Sequence, residues 1–317
     1  MKHLITGVAG FIGSNLAREL INRGEEVIGI DCFTDYYSRA LKESNINDLL
    51  EKRNFNFIEG DLLTLDLKNI FKDVDYIYHQ AAQAGVRSSW GKDFEIYSRN
   101  NILLTQRLLE AAVDSNIKKF VYASSSSVYG DVDELPMKEK HKLQPVSPYG
   151  VSKLAAENMC YLYWKNYGVP TISLRYFTVY GEGQRPDMAF HIFIKNVLQN
   201  KTIHVFGNGK QSRNFTYVGD VVRANILSAK SEISGEVLNI GGNQQDLTIN
   251  YIIESISNIL GKKCEVKYEP VVKGDVKHTA ADCIKAKELL DYQPQISLKE
   301  GLKKQIKWMK NLYQEEQ

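Results

Sequence analysis

No stretch of the 317 residues is apolar for anything near the roughly 18 positions a membrane span requires, and the chain opens directly on a strand-like segment without a leader-type cleavage pattern. A cytoplasmic protein with no membrane partner is expected. Charge of one sign is also lacking: 40 Lys and Arg against 38 Asp and Glu leave a net +2, which offers no basic field to nucleic acid. The four cysteines (Cys32, Cys160, Cys264 and Cys283) contain no C-x-x-C pair, so reduced, buried thiols are expected and neither a disulfide frame nor a zinc site. Among the six histidines no two stand at ligand spacing with a carboxylate partner, and no metal is expected. What is present, 43% hydrophobic and 25% charged residues, suits one large domain with a smaller one.

The first motif is Gly7-Val8-Ala9-Gly10-Phe11-Ile12-Gly13, set between a strand at 3–6 and an apolar-periodic helix to about Gly24. Glycines three apart let the backbone turn tightly, approach a pyrophosphate and pack helix on strand, with free N–H groups at the helix start holding the anion. Gly7, Gly10, Phe11, Ile12 and Gly13 are therefore cofactor-binding candidates. The next strand ends in Asp31, 18 residues beyond Gly13. A carboxylate there accepts both ribose hydroxyls of NAD and repels a 2′-phosphate, so NAD is favoured over NADP. A third strand, 55–59, closes on Gly60-Asp61-Leu62, with Asp61 placed for the adenine amino group and Leu62 beside it. After a fourth strand, 74–78, small residues including Ala81 let the cofactor pass over the sheet edge. The loop 84–91 then holds Arg87, an anion contact or a structural ion pair, and Trp90, expected to be buried.

A long helix, 95–116, leads to a strand at 119–123 and to Ser124-Ser125-Ser126-Ser127 at its carboxyl end, the edge where open parallel sheets bind ligands. Tyr149 and Lys153 follow, four residues apart and so on one helical face. A buried ammonium beside a phenol favours the phenolate and makes the tyrosine a proton acceptor near neutral pH. Further on, the strict strand and helix alternation weakens, through Arg175-Tyr176-Phe177-Thr178-Val179-Tyr180-Gly181, then Arg185-Pro186-Asp187-Met188-Ala189, then Arg213 and the loop 273–276.

Gly7/Gly10/Gly13, Asp31, Asp61, the serine run and Tyr149/Lys153, in this order, resemble the extended short-chain dehydrogenase/reductase superfamily over the whole chain. The resemblance implies an α/β fold: a doubly wound parallel Rossmann sheet with NAD, covering 1–180 with segments near 210–245 returning to it, and a smaller carboxyl-terminal α/β domain, mainly 181–317, for a nucleotide sugar. It also implies a homodimer through the 95–116 and 149–167 helices. Tyr149 would be the base, Lys153 would lower its pKa and contact the nicotinamide ribose, and Ser125 would complete the hydrogen bonds to the reacting oxygen.

Within that superfamily Thr178-Val179-Tyr180-Gly181, the 185–189 run, Gly85-Val86-Arg87-Ser88 and Asp35-Tyr36-Tyr37 look like the UDP-glucuronate 4-epimerases. Decarboxylases and dehydratases of the superfamily typically carry Glu where Ser127 stands, and UDP-galactose epimerases usually Asn in place of Thr178. Oxidising C4 of a glucuronate makes a β-keto acid that loses carbon dioxide when its carboxylate bond aligns with the carbonyl; hydroxyls of Ser125, Ser126 and Thr178 would hold the acid group out of that alignment, and a Glu would repel it. The substrate-binding set implied is Arg87, Ser125, Ser126, Ser127, Tyr149, Thr178, Arg185, Arg213 and Asp275. In it Arg213 and Arg87 take the diphosphate, Asp275 the uridine ribose and Arg185 a sugar-side anion. The chain departs from the family pattern at Val272, often Arg, and at Asn214, usually Asp. A UDP-glucose or UDP-N-acetylglucosamine 4-epimerase shares the same catalytic residues, while a decarboxylase is opposed by Ser127, an NADPH reductase by Asp31, and a non-catalytic NAD-sensing protein by the intact Tyr149, Lys153 and Ser125.

Overall fold

Short, fully buried apolar runs separated by amphipathic helices build a parallel sheet covered on both faces. The computed structural model describes residues 1–244, 247–271 and 276–314. In chain order the elements are Lys2–Thr6 (β1), Phe11–Asn22 (α1), Glu26–Asp31 (β2), Arg39–Leu50 (α2), Phe55–Glu59 (β3), Leu67–Phe71 (α3), Tyr76–His79 (β4), Phe94–Tyr97 (α4), Leu104–Val113 (α5), Lys119–Ser125 (β5), Pro148–Tyr167 (α6) and Thr171–Tyr176 (β6). There follow Val179–Tyr180 (β7), Ala189–Leu198 (α7), Ile203–Phe206 (β8), Ser212–Arg213 (β9), Thr216–Tyr217 (β10), Val218–Lys230 (α8), Glu236–Ile240 (β11), Leu247–Thr248 (β12), Ile249–Leu260 (α9), Val266–Glu269 (β13), Ile284–Leu290 (α10) and Leu298–Gln314 (α11).

The main sheet runs β11-β6-β5-β4-β1-β2-β3, every neighbouring pair parallel. This is the Rossmann arrangement. Strand order reverses between β1 and β4, so a crevice opens beyond their carboxyl ends, where doubly wound sheets take their ligands. One face is packed by α1 and α8, through Leu16, Leu20, Val221 and Val222, and the other by α3, α5 and α6, through Phe71, Leu108, Ala156 and Cys160. The carboxyl-terminal part adds three two-stranded sheets, β7 with β10, β8 with β13 and β9 with β12, and the helices α7, α9, α10 and α11. Among the described residues no helix is long and apolar enough to cross a membrane.

Local chemistry sets the ends of α6. Ser147 caps its start, accepting from Gly150 N at 3.1 Å; Pro148 opens the first turn; Gly168 closes it at φ 73°. The helix expected over 95–116 is interrupted: α4 gives way to a π-helical segment, Ser98–Leu103, before α5 begins. The cause is Asn101, whose amide is drawn to Gln83 N and O and to Ser152 Oγ at 2.7–3.0 Å, while Thr105 Oγ1 bonds to the Asn101 carbonyl. Such inserted turns occur where a side chain competes with the helical ladder. Trp90, expected to be buried, is half exposed, because the 84–93 stretch folds as short surface turns pivoting on Gly85 and Gly91, both at positive φ. The thiol expectation is corrected in part: all four cysteines are free, Cys160 is buried, but Cys32 is exposed at the crevice.

Candidate active site

At the carboxyl end of β1 the glycine turn is forced by close approach. Gly7 sits at φ +69°, and a Cβ there would lie 2.8 Å from Ala81 Cα and N; a Cβ on Gly13 would come within 2.2 Å of Gly7 O. Gly10 caps α1 with no side-chain partner, so the first N–H groups of the helix face the crevice. Asp31 ends β2 and accepts from Ala9 N at 3.0 Å and Phe33 N at 2.9 Å, tying the turn to the neighbouring strand. Burial pushes its carboxyl up, opposed by those two N–H groups and by the Lys42 ammonium. Asp61 accepts from Leu63 N at 2.9 Å and pairs with Arg99 at 2.7 Å. Ala81 N donates to Thr6 Oγ1 at 3.2 Å.

Gly7, Gly10, Phe11, Ile12, Gly13, Asp31, Asp61, Leu62 and Ala81 line one crevice, and Ser124, Tyr149, Lys153, Tyr176 and Arg185 line the same one. A cradle in which added Cβ atoms would collide with backbone, anion-seeking N–H groups and a ribose-side carboxylate together fit a dinucleotide such as NAD. The Tyr149 phenol is hydrogen-bonded to Ser125 and its pKa is raised by burial, with the Ser125 hydroxyl and the Arg185 guanidinium pulling it back. Burial brings the Lys153 ammonium down to about 7. Its Nζ lies over the Tyr122 ring, 4.6 Å from the centroid. The Arg185 guanidinium is thus a second cation that favours the Tyr149 phenolate, beside the Lys153 expected from the helical spacing.

The remaining expected residues divide. Arg185 points into the crevice, bound to both Asp187 oxygens at 3.0 Å and lying 5.7 Å over the Tyr36 ring, with Tyr36 Oη donating to Asp187 at 3.1 Å. Ser125 Oγ accepts from Ser127 N at 3.1 Å, and Ser126 and Ser127 start a single 3-10 turn behind it. The Thr178 carbonyl accepts from Thr216 N at 3.0 Å; of the serine run, Ser124 lines the crevice and Ser125 meets it through its hydrogen bond to Tyr149. Arg87 lies over the Phe206 ring at 4.4 Å. Arg213 donates to the carbonyls of Ser212, Val276 and Lys277. Arg87 and Arg213 lie outside the lining of the cofactor crevice itself, on the side of the carboxyl-terminal elements, and Asp275 falls outside the described residues. Asn214, the departure from the family pattern, is buried and brackets the chain at 242–244, accepting from Gly242 N at 2.8 Å and donating to Gln244 O at 2.8 Å.

Sequence reasoning missed the wall formed by Cys32, Thr34, Tyr36, Tyr37 and Lys42, and also Gln80 and Arg99. Lys42 bonds to Thr34 O and lies 4.7 Å over the Tyr37 ring; nothing in its local sequence marks it. Gln80 sits within a network with Tyr176 Oη and Asn225 Oδ1 at 3.2 and 3.0 Å. Among the described residues no group of His, Cys, Asp and Glu could hold a metal.

A nucleotide cradle and a tyrosine-lysine pair sharing one crevice define a dinucleotide-dependent enzyme acting on a hydroxyl or carbonyl carbon. Residues 3–241 match the NAD dependent epimerase/dehydratase family, and the chain belongs to it. It is 45% identical over 318 residues to the Bacillus subtilis (strain 168) protein named "Uncharacterized UDP-glucose epimerase YtcB", covering 100% of both. It is 41% identical over 312 residues to the UDP-glucuronate 4-epimerase of Thermodesulfobacterium geofontis, covering 97% of this chain and 96% of that one. The crystal structure of UDP-glucuronic acid 4-epimerase from Bacillus cereus, in complex with UDP-glucuronic acid and NAD, matches with a TM-score of 0.95 at 45% identity, covering 99% of this chain and 100% of that one.

Proposed function

We propose that this protein is an isomerase that interconverts UDP-glucuronate and UDP-galacturonate by NAD-dependent 4-epimerisation, through a transient 4-keto sugar and without decarboxylation. The observation that carries the reading is the Tyr149 phenol, hydrogen-bonded to Ser125 and facing a guanidinium, in the crevice that also holds the glycine turn and Asp31. Gly7, Gly10, Gly13 and Asp31 hold the cofactor. NAD, held there, would supply the hydride acceptor for C4 and, reduced, the hydride donor for the ketone. Tyr149 takes the proton from the C4 hydroxyl and gives it back to the ketone oxygen, with Ser125 fixing that oxygen. Lys153 lowers the pKa of the phenol and would contact the nicotinamide ribose.

The sugar has to turn between the two hydride steps while its UDP stays anchored. We assign the diphosphate to Arg87 and Arg213 and the uridine ribose to Asp275. The sugar carboxylate goes to Arg185 and to the hydroxyls of Ser126 and Thr178, each charge-assisted bond contributing about 1.5–3 kcal/mol to holding it away from the ketone plane. Ser127 leaves no carboxylate there to repel it.

Purified protein incubated with UDP-glucuronate and no added cofactor should yield UDP-galacturonate by NMR. UDP-xylose would move the protein to the decarboxylases, and turnover of UDP-glucose alone would move it to the neutral-sugar epimerases. We place the activity in the cytoplasm, with its nucleotide-sugar and NAD pools, and in a homodimer formed through the 95–116 and 149–167 stretches. Ile96, Leu103, Val151 and Leu162 on those helices are large, apolar and exposed. Light scattering that gives a monomer at micromolar concentration removes the dimer.

A further inference from the structure

Glu157 stands on α6 at the same spacing that relates Tyr149 to Lys153, one turn further on. Its buried carboxylate takes donors from both strands beneath: Ser124 Oγ of β5 at 2.6 Å, and Arg175 Nε and Nη2 of β6 at 3.0 and 2.6 Å. Ser124 and Arg175 are register partners, so a single carboxylate spans that rung of the sheet. The next rung pairs Ser125 with Tyr176, the first bonded to Tyr149 and the second lining the crevice. Arg175 is braced behind by the Tyr129 ring at 4.7 Å and by the Glu139 carbonyl. A buried ion pair adds little stability over apolar residues of the same volume, so its place, more than its strength, asks for an explanation.

Around the Lys153 Nζ stand Glu157 and Cys160 from α6 itself, Tyr122 from β5, His79 from β4, and Arg175 of β6 behind Glu157. His79 and Tyr122 are held neutral by burial, and Cys160 is held as the thiol. Glu157 and Arg175 are then the charged groups of the set, a neutral pair taken together, with the carboxylate the partner that acts on the ammonium. Loss of either half leaves the other charge unbalanced under the turn of α6 that follows Lys153.

We propose that Glu157 and Arg175 are positioning residues of the epimerisation: Glu157 clamps α6 to the rung adjoining Ser125, and the balanced pair keeps Lys153 charged at working pH. The proposal rests on the function given above. Neither residue touches substrate or cofactor; both act through Lys153 and Ser125. Glu157 already opposes the lowering of Lys153 by burial.

The test follows kcat for UDP-glucuronate against pH in the wild type, Glu157→Gln, Arg175→Met and the double variant. Beside it, the titration of Lys153 is read in the same proteins from its acetylation by acetic anhydride, resolved by peptide mass spectrometry. In Glu157→Gln the alkaline limb of kcat and the Lys153 titration move to lower pH by about one pH unit. In Arg175→Met both move to higher pH, and the double variant returns them close to wild type, with KM little changed throughout. Single variants that lower kcat with both readouts unmoved, or that move them in the same direction, overturn the proposal. Should a single variant fail to fold, Glu157→Asp, which draws the carboxylate back by one methylene, replaces it: a smaller downward shift supports the proposal and an unmoved Lys153 titration overturns it. Wild-type protein that does not turn over UDP-glucuronate sinks the proposed function instead, and the acetylation arm still decides the charge balance.

Discussion

Replacing Gly13 by alanine places a methyl group 2.2 Å from Gly7 O and 3.0 Å from both Gly7 C and Val8 Cα. All three are main-chain atoms, so the turn itself must move; no flexible side chain is there to yield. Gly7 cannot retreat freely, because it is packed on the Ala81 backbone and its carbonyl accepts from Gly10 N at 3.1 Å. Two effects oppose each other in stability: alanine in a helix gains up to about 1 kcal/mol over glycine, and overpacking costs about 1–3 kcal/mol. The net is a loss of about 0–2 kcal/mol, a fall in Tm of a few degrees at this chain length. Cofactor affinity should fall further, because a displaced turn carries with it the N–H groups at the start of α1 that are to hold the pyrophosphate. One charge-assisted hydrogen bond lost is worth about 1.5–3 kcal/mol, roughly 10- to 150-fold in Kd. Calorimetric titration of the cofactor-free protein with NAD, beside a thermal melt, measures both. Gly261→Ala is the control: it sits at φ +64° with no atom within 4 Å of the added Cβ, so it should cost about 1 kcal/mol of stability and leave the NAD Kd unchanged. A Gly13→Ala protein that binds NAD as tightly as the wild type would refute the account of the cradle.

Tyr149→Phe removes the proton acceptor while keeping the ring; kcat for UDP-glucuronate should fall about 10²- to 10⁴-fold with KM little changed, and a loss confined to KM would contradict the assignment. Arg185→Met should reduce kcat/KM for UDP-glucuronate by about 10- to 150-fold beyond its effect on UDP-glucose, as expected for one lost bond to a charged group, since both sugars share the action of Arg185 on Tyr149; equal losses on both would mean that Arg185 does not read the acid group. His79, buried between Thr6 Oγ1 at 2.8 Å and Thr105 Oγ1 at 3.0 Å, has its pKa lowered by burial to about 3. A lowered folded-state pKa means stability that is present above the unfolded value near 6.5 and is lost as pH falls toward 3, by up to about 1.4 kcal/mol per pH unit. Urea midpoints between pH 7 and 5 should therefore decline less steeply in His79→Gln, and parallel slopes would exclude His79 as the cause.

The parts of the crevice that could be read from sequence are those in which local backbone geometry dictates residue type. Gly7, Gly10 and Gly13 belong to this class, and so do Ser147, Pro148 and Gly168, which fix where α6 begins and ends and hence which face presents Tyr149 and Lys153. Residues whose partners lie far along the chain could not be placed in this way. Asn101 breaks its helix for the sake of Gln83 and Ser152, and Arg213 turns to carbonyls 63 and 64 residues away. Lys42 joins the wall only because the loop after β2 folds back on it. Lys153 belongs to both groups. Helical spacing puts its Cα one turn from Tyr149, but the direction of the ammonium is decided by what the sheet offers underneath: the Tyr122 ring at 4.6 Å from β5, and beyond it a carboxylate already claimed by Ser124 and Arg175. A motif of two residues therefore locates the acid-base pair, while the surroundings of its ammonium come from β5 and β6, which the motif does not contain.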